Sequence, residues 1–348
     1  MSPLIMLFLV LSLLLGTSMT FIGTNWLLIW MGLEINTMAI LPLMISQQHP
    51  RAVEATTKYF LTQATASALL LFAGVSNAWL TGQWELTQTM TQASATLATL
   101  ALALKIGLAP MHFWLPEVLQ GINLTTGLIL STWQKLAPFA ILLQLHHTLN
   151  PNLLMFLGLS SIIIGGWGGL NQTQLRKILA YSSIAHLGWM FAILHYMPNL
   201  TLLNLMLYII MTTSMFLMFI NINATKISSI APSVMKLPLM SIILLTSLLS
   251  LGGLPPLSGF MPKWLILQEL TKQNMILMAT IMALATLLSL FFYLRLCYMI
   301  SLTISPNLTL SSSMWRPSST KSHILLTTST MLSLFLLPLT PMMLMLTI

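Results

Sequence analysis

Four ionisable side chains lie deep inside long apolar runs of this sequence, where water does not normally reach. Glu34 is at the midpoint of the second run, Lys105 and Lys135 are near the midpoints of two later runs, and Lys263 follows a proline-rich interruption. A charge at the centre of a bilayer costs about 2.5–3.5 kcal/mol on insertion scales, so these groups must face one another or water. Three amines and one carboxylate leave excess positive charge, which an ion-pair network built only for packing would avoid. The pattern favours a path for protons or other cations, and a buried ion pair that only fixes helix packing is the alternative.

Two histidines in apolar surroundings are candidates for proton relay. His112 follows Pro110 by two residues, and His186 lies near the midpoint of its run beside Ser182 and Ser183. Histidine titrates close to physiological pH and can therefore pass protons on. The alternative is a neutral ring that is hydrogen-bonded to a hydroxyl group or to water. Three other histidines lie near the ends of predicted helices, where we expect the membrane surface: His146, His147 and His195.

The composition excludes a soluble protein and most kinds of bound cofactor. Of the 348 residues, 57% are hydrophobic and 5% are charged, whereas soluble domains carry about 25% charged residues. The single cysteine, Cys297, excludes a disulfide framework or a thiolate metal centre held by this chain alone. The histidines also lack the spacing that haem ligation between two facing helices needs. The net charge of +8 is scattered between apolar runs, so we expect no nucleic-acid partner. We also expect no directly bound soluble substrate, and no cofactor or metal on this chain.

Apolar runs of the length that a bilayer requires, about 20 residues, divide the whole chain. We expect a single membrane domain over residues 1–348 that is all-α, with about eleven transmembrane helices. No basic or Arg-rich presequence precedes the first run, so we expect that helix to remain in the mature protein. The predicted spans are 3–23, 24–46, 59–80, 93–118, 124–146, 152–170, 175–196, 200–222, 238–271 (interrupted), 275–301 and 323–345.

The basic residues outside the spans predict how the chain is oriented. Eight of them fall in predicted loops on the N-terminal side or in the first turn of a span beside such a loop: Arg51, Lys58, Arg176, Lys177, Lys226, Lys236, Arg316 and Lys321. Only Lys272 falls in a loop on the opposite side. This asymmetry places the N-terminus in the compartment where translation occurs and, because eleven is odd, the C-terminus on the other side. Arg295 lies within reach of the basic side, and we interpret it as a membrane anchor.

Proline interrupts two of the spans, each within a few residues of a midspan lysine. Pro110 lacks the N–H that would bond to the carbonyl four residues earlier. In the second interruption, two consecutive prolines at positions 255–256 free the carbonyls of Leu251 and Gly252. A freed carbonyl in hydrocarbon is costly unless it lines a wet cavity or meets a side chain. We therefore expect a side chain or water at each interruption.

The two interruptions are also similar to each other. Residues 107–110 (Gly-Leu-Ala-Pro) align with residues 253–256 (Gly-Leu-Pro-Pro), and each lies in the fourth member of a run of five spans. Because five is odd, the second run enters the membrane from the opposite side. We predict two five-helix inverted repeats at 1–146 and 150–301, each with a proline-broken helix, followed by one C-terminal helix at 323–345.

The two interrupted spans resemble the broken helices of the antiporter-like subunits of respiratory complex I. Residues 105–117 (Lys-Ile-Gly-Leu-Ala-Pro-Met-His-Phe-Trp-Leu-Pro-Glu) are similar to the first broken helix, and residues 253–263 (Gly-Leu-Pro-Pro-Leu-Ser-Gly-Phe-Met-Pro-Lys) are similar to the second. The resemblance covers nearly the whole chain. The wealth of Leu, Thr and Met is also typical of proteins encoded by animal mitochondrial DNA. One departure is that full-length family members have three further helices before the first one of this chain.

The resemblance implies a role for each midplane group. Glu34 is expected to pair with Lys105. Lys135 is expected to connect this pair to Lys263, and Lys263 to end a proton path that quinone chemistry in other subunits drives. His112 matches the family's histidine at the first break.

The resemblance also implies a place in the cell: the mitochondrial inner membrane, with the N-terminus towards the matrix and the C-terminus towards the intermembrane space. Other membrane and accessory subunits of complex I, together with lipids, are the expected partners. A cation/proton antiporter that works alone and a non-pumping structural subunit remain as alternatives.

Overall fold

The chain is helical throughout the part that the computed structural model describes, which is residues 2–46, 48–86, 90–230, 238–302 and 324–342. No strand forms in these ranges, and two isolated bridges, Asn25 with Glu85 and Gln174 with Lys226, join loops. The helices are α1 (Pro3–Ile22), α2 (Trp26–Met44), α3 (Pro50–Thr81), α4 (Gln92–Ile106), α5 (Trp114–Gly121), α6 (Leu124–Leu145), α7 (Pro151–Gly169), α8 (Leu175–Ile193), α9 (Pro198–Ile222), α10 (Pro238–Gly252), α11 (Phe260–Lys272), α12 (Ile276–Leu302) and α13 (Ile324–Phe335).

Seven of these helices are long and apolar enough to cross a membrane: α1, α2, α3, α6, α7, α9 and α12. Helices α4 and α10 are shorter because each is the first half of an interrupted span, and α5 and α11 are the second halves. Every predicted span therefore contains at least one helix of the described chain. The predicted all-α membrane fold is confirmed.

Helix α3 is longer than predicted, since it begins at Pro50 rather than near residue 59. Proline suits the first helical position because its φ is already helical and its missing N–H would have no partner there. The His49 side chain caps this end by accepting the Arg51 N–H at 3.2 Å. Arg51 and Lys58 were expected in a loop. That expectation is wrong, because both residues lie on this helix. Three other residues used for the orientation lie outside the described residues: Lys236, Arg316 and Lys321.

The last helix is shorter than the predicted 323–345. It ends at Phe335 and a 3-10 turn follows at Leu337–Leu339. Pro338 explains the change, because proline has no N–H to continue the α-helical bonding pattern.

The chain divides into two compact units by its packing. Unit 1 comprises Met1–Ser161 and Phe191–Pro198, and unit 2 comprises Ile162–Met190 and Asn199–Ile348. The predicted repeat boundaries stay a prediction.

Unit 1 is built around α3, which packs against α2, α4 and α5. One long helix therefore contacts both halves of the first interrupted span. Helices α1 and α2 approach closely through two glycines, since a Cβ on Gly16 would lie 2.8 Å from the Gly32 carbonyl oxygen. Helix α6 packs on α1, α2 and α4. These contacts gather α2 to α6 around a group of buried polar side chains.

In unit 2, the glycine-rich segment of α7 lets neighbouring helices approach closely. A Cβ on Gly165 would lie 2.8 Å from the backbone nitrogen of Ala185 in α8. A Cβ on Gly169 would lie 2.7 Å from the Phe292 ring in α12. Just after α7, the Leu170 carbonyl accepts a hydrogen bond of 2.6 Å from the Arg295 guanidinium. These glycines therefore serve helix packing, as small residues do in membrane proteins.

Candidate functional site

The first interrupted span breaks at Gly107, where α4 ends. Its backbone is left-handed with φ +85°, a conformation that glycine adopts at little cost. The N–H groups of Gly107 and Leu108 both donate to the Ala103 carbonyl at 2.9 Å. The turns that follow carry the chain to the start of α5 without continuing the helix.

Two side chains from outside α4 bind the carbonyls of its last turn. The Trp114 indole N–H donates to the Leu104 carbonyl at 3.1 Å. The Gln63 amide of α3 donates to the Lys105 carbonyl at 3.2 Å. A side-chain partner is what a freed carbonyl needs in a membrane. The two carbonyls bound here are those of the last helical turn, and neither is the Ile106 carbonyl that Pro110 frees. Neither Gln63 nor Trp114 was among the predicted site residues, and only Trp114 lies within the motif that the sequence analysis identified.

A polar cavity lies beside this break and contains both midspan lysines of unit 1. It has about 20 Å³ of space for water, and about 10–15 Å³ is enough to hold one water molecule. Helices α2 to α6 supply its walls: Leu33, Asn36, Thr37, Tyr59, Gln63, Lys105, Ile106, Trp114, Leu115, Leu130, Gln134, Lys135, Ala137 and Pro138. The structure therefore brings Lys105 and Lys135 to one buried space, although they lie on different helices.

The polar groups around this cavity are deeply buried. Lys105 is 6% exposed and Lys135 is 3% exposed. The Lys105 amine has no hydrogen-bond partner among the described protein atoms, and the same holds for both amide atoms of the Asn36 side chain. Such groups are costly to bury without partners. A cavity of this size and polarity is suited to water, which can bond to them.

Glu34 lies at the edge of this site on α2 and is partly buried. The Thr37 hydroxyl, from the cavity wall, donates to Glu34 Oε2 at 3.2 Å. Glu34 and Lys105 form no ion pair in the described chain, but the carboxylate charge still attracts the Lys105 amine through space. The pairing of Glu34 with Lys105 stays a prediction.

His112 lies in the turns of the break itself and not in the cavity wall. It is 3% exposed, its Nδ1 is 3.3 Å from the Pro110 carbonyl oxygen, and its ring packs against Phe113. A role of His112 in relay stays a prediction.

The second interrupted span, in unit 2, breaks at Gly253 with φ +76°. The Lys263 amine donates to the freed Gly252 carbonyl at 2.8 Å. A Cβ on Gly253 would lie 2.8 Å from that amine, so glycine leaves the space that the lysine occupies. The sequence predicted that the freed carbonyl would need a partner, and the midspan lysine itself is that partner.

His186 lies in unit 2 on α8 and is 6% exposed. Its ring is 5.9 Å from the Tyr208 ring, centroid to centroid. The Ser183 hydroxyl interacts with Tyr208, and the Ser182 hydroxyl donates to the Leu179 carbonyl at 2.8 Å. The histidine is therefore next to buried hydroxyls, and a role of His186 in relay stays a prediction.

A family model described as "NADH:quinone oxidoreductase/Mrp antiporter, TM" matches residues 23–289. The chain belongs to the NADH:quinone oxidoreductase/Mrp antiporter family. A second model, described as "NADH dehydrogenase subunit 2 C-terminus", matches residues 290–344 of this family member. The family that the two broken-helix motifs indicated is confirmed.

Relatives of this family member cover its full length. A protein of Squalus acanthias is 71% identical over 348 residues, which are 100% of both chains. A protein of Scyliorhinus canicula is 68% identical over 99% of both chains. Both are named NADH-ubiquinone oxidoreductase chain 2.

A solved structure of respiratory complex I from Thermus thermophilus with bound aureothin contains a similar chain. The TM-score is 0.84 at 27% sequence identity, and the match covers 97% of this chain and 78% of that chain. The Thermus chain is therefore the longer of the two.

Proposed function

We propose that the chain is an antiporter-like core membrane subunit of a proton-pumping NADH:ubiquinone oxidoreductase. It moves protons through Glu34, Lys105, Lys135 and Lys263, driven by quinone reduction elsewhere in the complex. The observation that supports this most directly is the shared cavity of two buried lysines on different helices. A purely structural core would be more stable with apolar residues at these positions.

The cavity suits proton transfer between its two amines. Water in a polar space of this size can bridge Lys105 and Lys135. A proton on one amine disfavours a second on the other, because like charges repel strongly in a medium of low dielectric constant. Glu34 adds an attraction for the charged form of Lys105. A change that moves Glu34 away from Lys105, or neutralises it, therefore favours release of the Lys105 proton towards Lys135.

In unit 2, Lys263 is the proposed end of the path, and His186 is a proposed relay. The Lys263 amine is held by a carbonyl rather than by a carboxylate, so no fixed negative charge in that contact stabilises its proton. Transfer between the units belongs to the proposal and follows the family resemblance.

The proposal also places the chain in its surroundings. It is a multi-pass protein of the mitochondrial inner membrane, with the N-terminus towards the matrix and the C-terminus towards the intermembrane space. Its partners are other subunits of the complex and lipids. The chain carries no redox centre, so electron transfer takes place in other subunits.

Lys135→Met in purified, fully assembled enzyme tests the proposal. We expect fewer protons moved per NADH oxidised after reconstitution into liposomes, because the second amine of the cavity is lost. Lys272→Met is the matched control, since Lys272 has a side chain that is 61% exposed at the end of α11. Unchanged proton output in Lys135→Met, with normal assembly, would contradict the proposal and favour a structural subunit.

A cation/proton antiporter is the second candidate, because the matching family model also covers Mrp antiporters. Such a protein exchanges sodium or potassium for protons in liposomes without NADH. Exchange by this chain alone would favour that function over a pumping subunit.

A further inference from the structure

An exposed cluster of charges ties the second half of the first interrupted span to the rest of unit 1. The Lys58 amine lies 2.6 Å from Glu54 Oε1 and 2.8 Å from Glu117 Oε2. Glu54 is one turn before Lys58 on α3, whereas Glu117 is on α5. Only the Lys58–Glu117 ion pair therefore connects two helices.

This ion pair is part of a row of contacts between α3 and α5. In order along α3, the contacts are Ala55 with Gly121, Lys58 with Glu117, and Tyr59 with Trp114. Helix α5 has eight residues, and an isolated helix of this length is not stable in water. The position of α5 therefore depends on its contacts with α3.

Helix α5 in turn supplies two parts of the candidate site. Trp114 donates to the Leu104 carbonyl, one residue before Lys105. Trp114 and Leu115 also form part of the cavity wall. A displacement of α5 would remove the bond at Leu104 and open the wall beside the Lys105 amine.

We infer that Lys58 and Glu117 are positioning residues for proton transfer at Lys105. The inference rests on the proposed function. Glu117 has an exposed fraction of 53%, so water alone would solvate its charge, and the effect of the ion pair is to hold α5 against α3. The pair keeps the cavity closed on this side, so that protons pass between the lysines instead of leaking to the surface.

Hydrogen exchange of the α5 amides in the assembled enzyme tests the positioning role directly. Glu117→Gln and Lys58→Met should each increase exchange in residues 114–121 by about 1.4- to fivefold, the range for losing one exposed ion pair. Glu54→Gln is the matched control, because it removes a carboxylate 2.6 Å from the same amine without breaking the link between helices. Equal exchange in Glu117→Gln and the unsubstituted enzyme, or an equal increase in Glu54→Gln, would overturn the inference.

Proton output separates positioning from a general loss of structure. Glu117→Gln should lower the number of protons moved per NADH, while NADH oxidation continues. Exchanging the charges, with Lys58→Glu and Glu117→Lys in a Glu54→Gln background, should restore it, because the link between α3 and α5 re-forms without repulsion from Glu54. A failure of this rescue would count against the inference.

Lys105→Met in the same preparation distinguishes a failure of the inference from a failure of the proposed function. If Lys105→Met abolishes pumping while Glu117→Gln has no effect, the inference fails and the proposed function stands. If Lys105→Met pumps normally, the proposed function itself fails.

Discussion

Substituting alanine for Gly253 should move the Lys263 amine without unfolding the protein. Gly253 has φ +76°, and an L-residue in the left-handed region costs about 1–2 kcal/mol. The new Cβ would lie 2.8 Å from the Lys263 amine and 3.0 Å from its Cδ and Cε atoms. These atoms are the flexible end of a side chain, so the lysine yields and the backbone stays in place.

The displaced lysine leaves the Gly252 carbonyl without its partner. A hydrogen bond that involves a charged group contributes about 1.5–3 kcal/mol. The contact therefore favours the native position of Lys263 by about 10- to 150-fold, and the clash with the new Cβ removes this preference. We therefore expect proton output per NADH to fall strongly, while NADH oxidation continues.

Gly82→Ala is the matched control for backbone strain. Gly82 ends α3 with φ +73°, and a Cβ there would meet nothing within 4 Å. The strain is therefore the same, but no catalytic group moves. Both variants are assembled into the enzyme, reconstituted in liposomes and compared for protons moved per NADH. Equal output in the two variants would refute the argument that the Lys263–Gly252 contact matters for pumping.

Two further substitutions test the packing that surrounds the site. Trp114→Phe keeps an aromatic ring beside Tyr59 but removes the donor to the Leu104 carbonyl. Loss of this donor should destabilise the end of α4 by about 1–3 kcal/mol. We expect faster hydrogen exchange there and lower proton output, and unchanged exchange would mean that another donor replaces the indole. Gly165→Ala places a Cβ 2.8 Å from the backbone nitrogen of Ala185, and two rigid backbones cannot yield as a side chain can. We expect a lower yield of assembled enzyme and a lower midpoint of thermal unfolding, and normal assembly would show that α7 and α8 can move apart.

Much of the fold was predictable because span length and apolarity are local properties of a sequence. Twenty apolar residues form a helix in a membrane whatever their neighbours are, since only internal hydrogen bonds can satisfy the backbone there. Both interruptions were visible for a similar reason, because proline removes a donor within its own turn. The start of α3 was missed because polar and charged residues, including Lys58, precede its apolar stretch, and those turns are stabilised by contact with α5.

The residue types at the site were also visible, because a charge in an apolar run is conspicuous wherever it packs. Their partners were not. Lys263 binds a carbonyl eleven residues earlier, and this contact depends on how the chain turns between Gly253 and α11. The partner of the Lys105 carbonyl, Gln63, is 42 residues away on another helix, and nothing in the sequence distinguishes it from other polar residues of α3.

The amino-acid sequence alone determined that this is a helical membrane protein with broken helices, buried lysines and one midplane carboxylate, because composition, run length and proline act locally. Only the tertiary structure decided which groups share a space. It placed Lys105 and Lys135 around one cavity, kept Glu34 at its edge, and linked Lys58 to Glu117 across 59 residues of chain. The reason is physical: helix formation depends on bonds within a few residues, whereas the cavity and the ion pair depend on which helix faces meet.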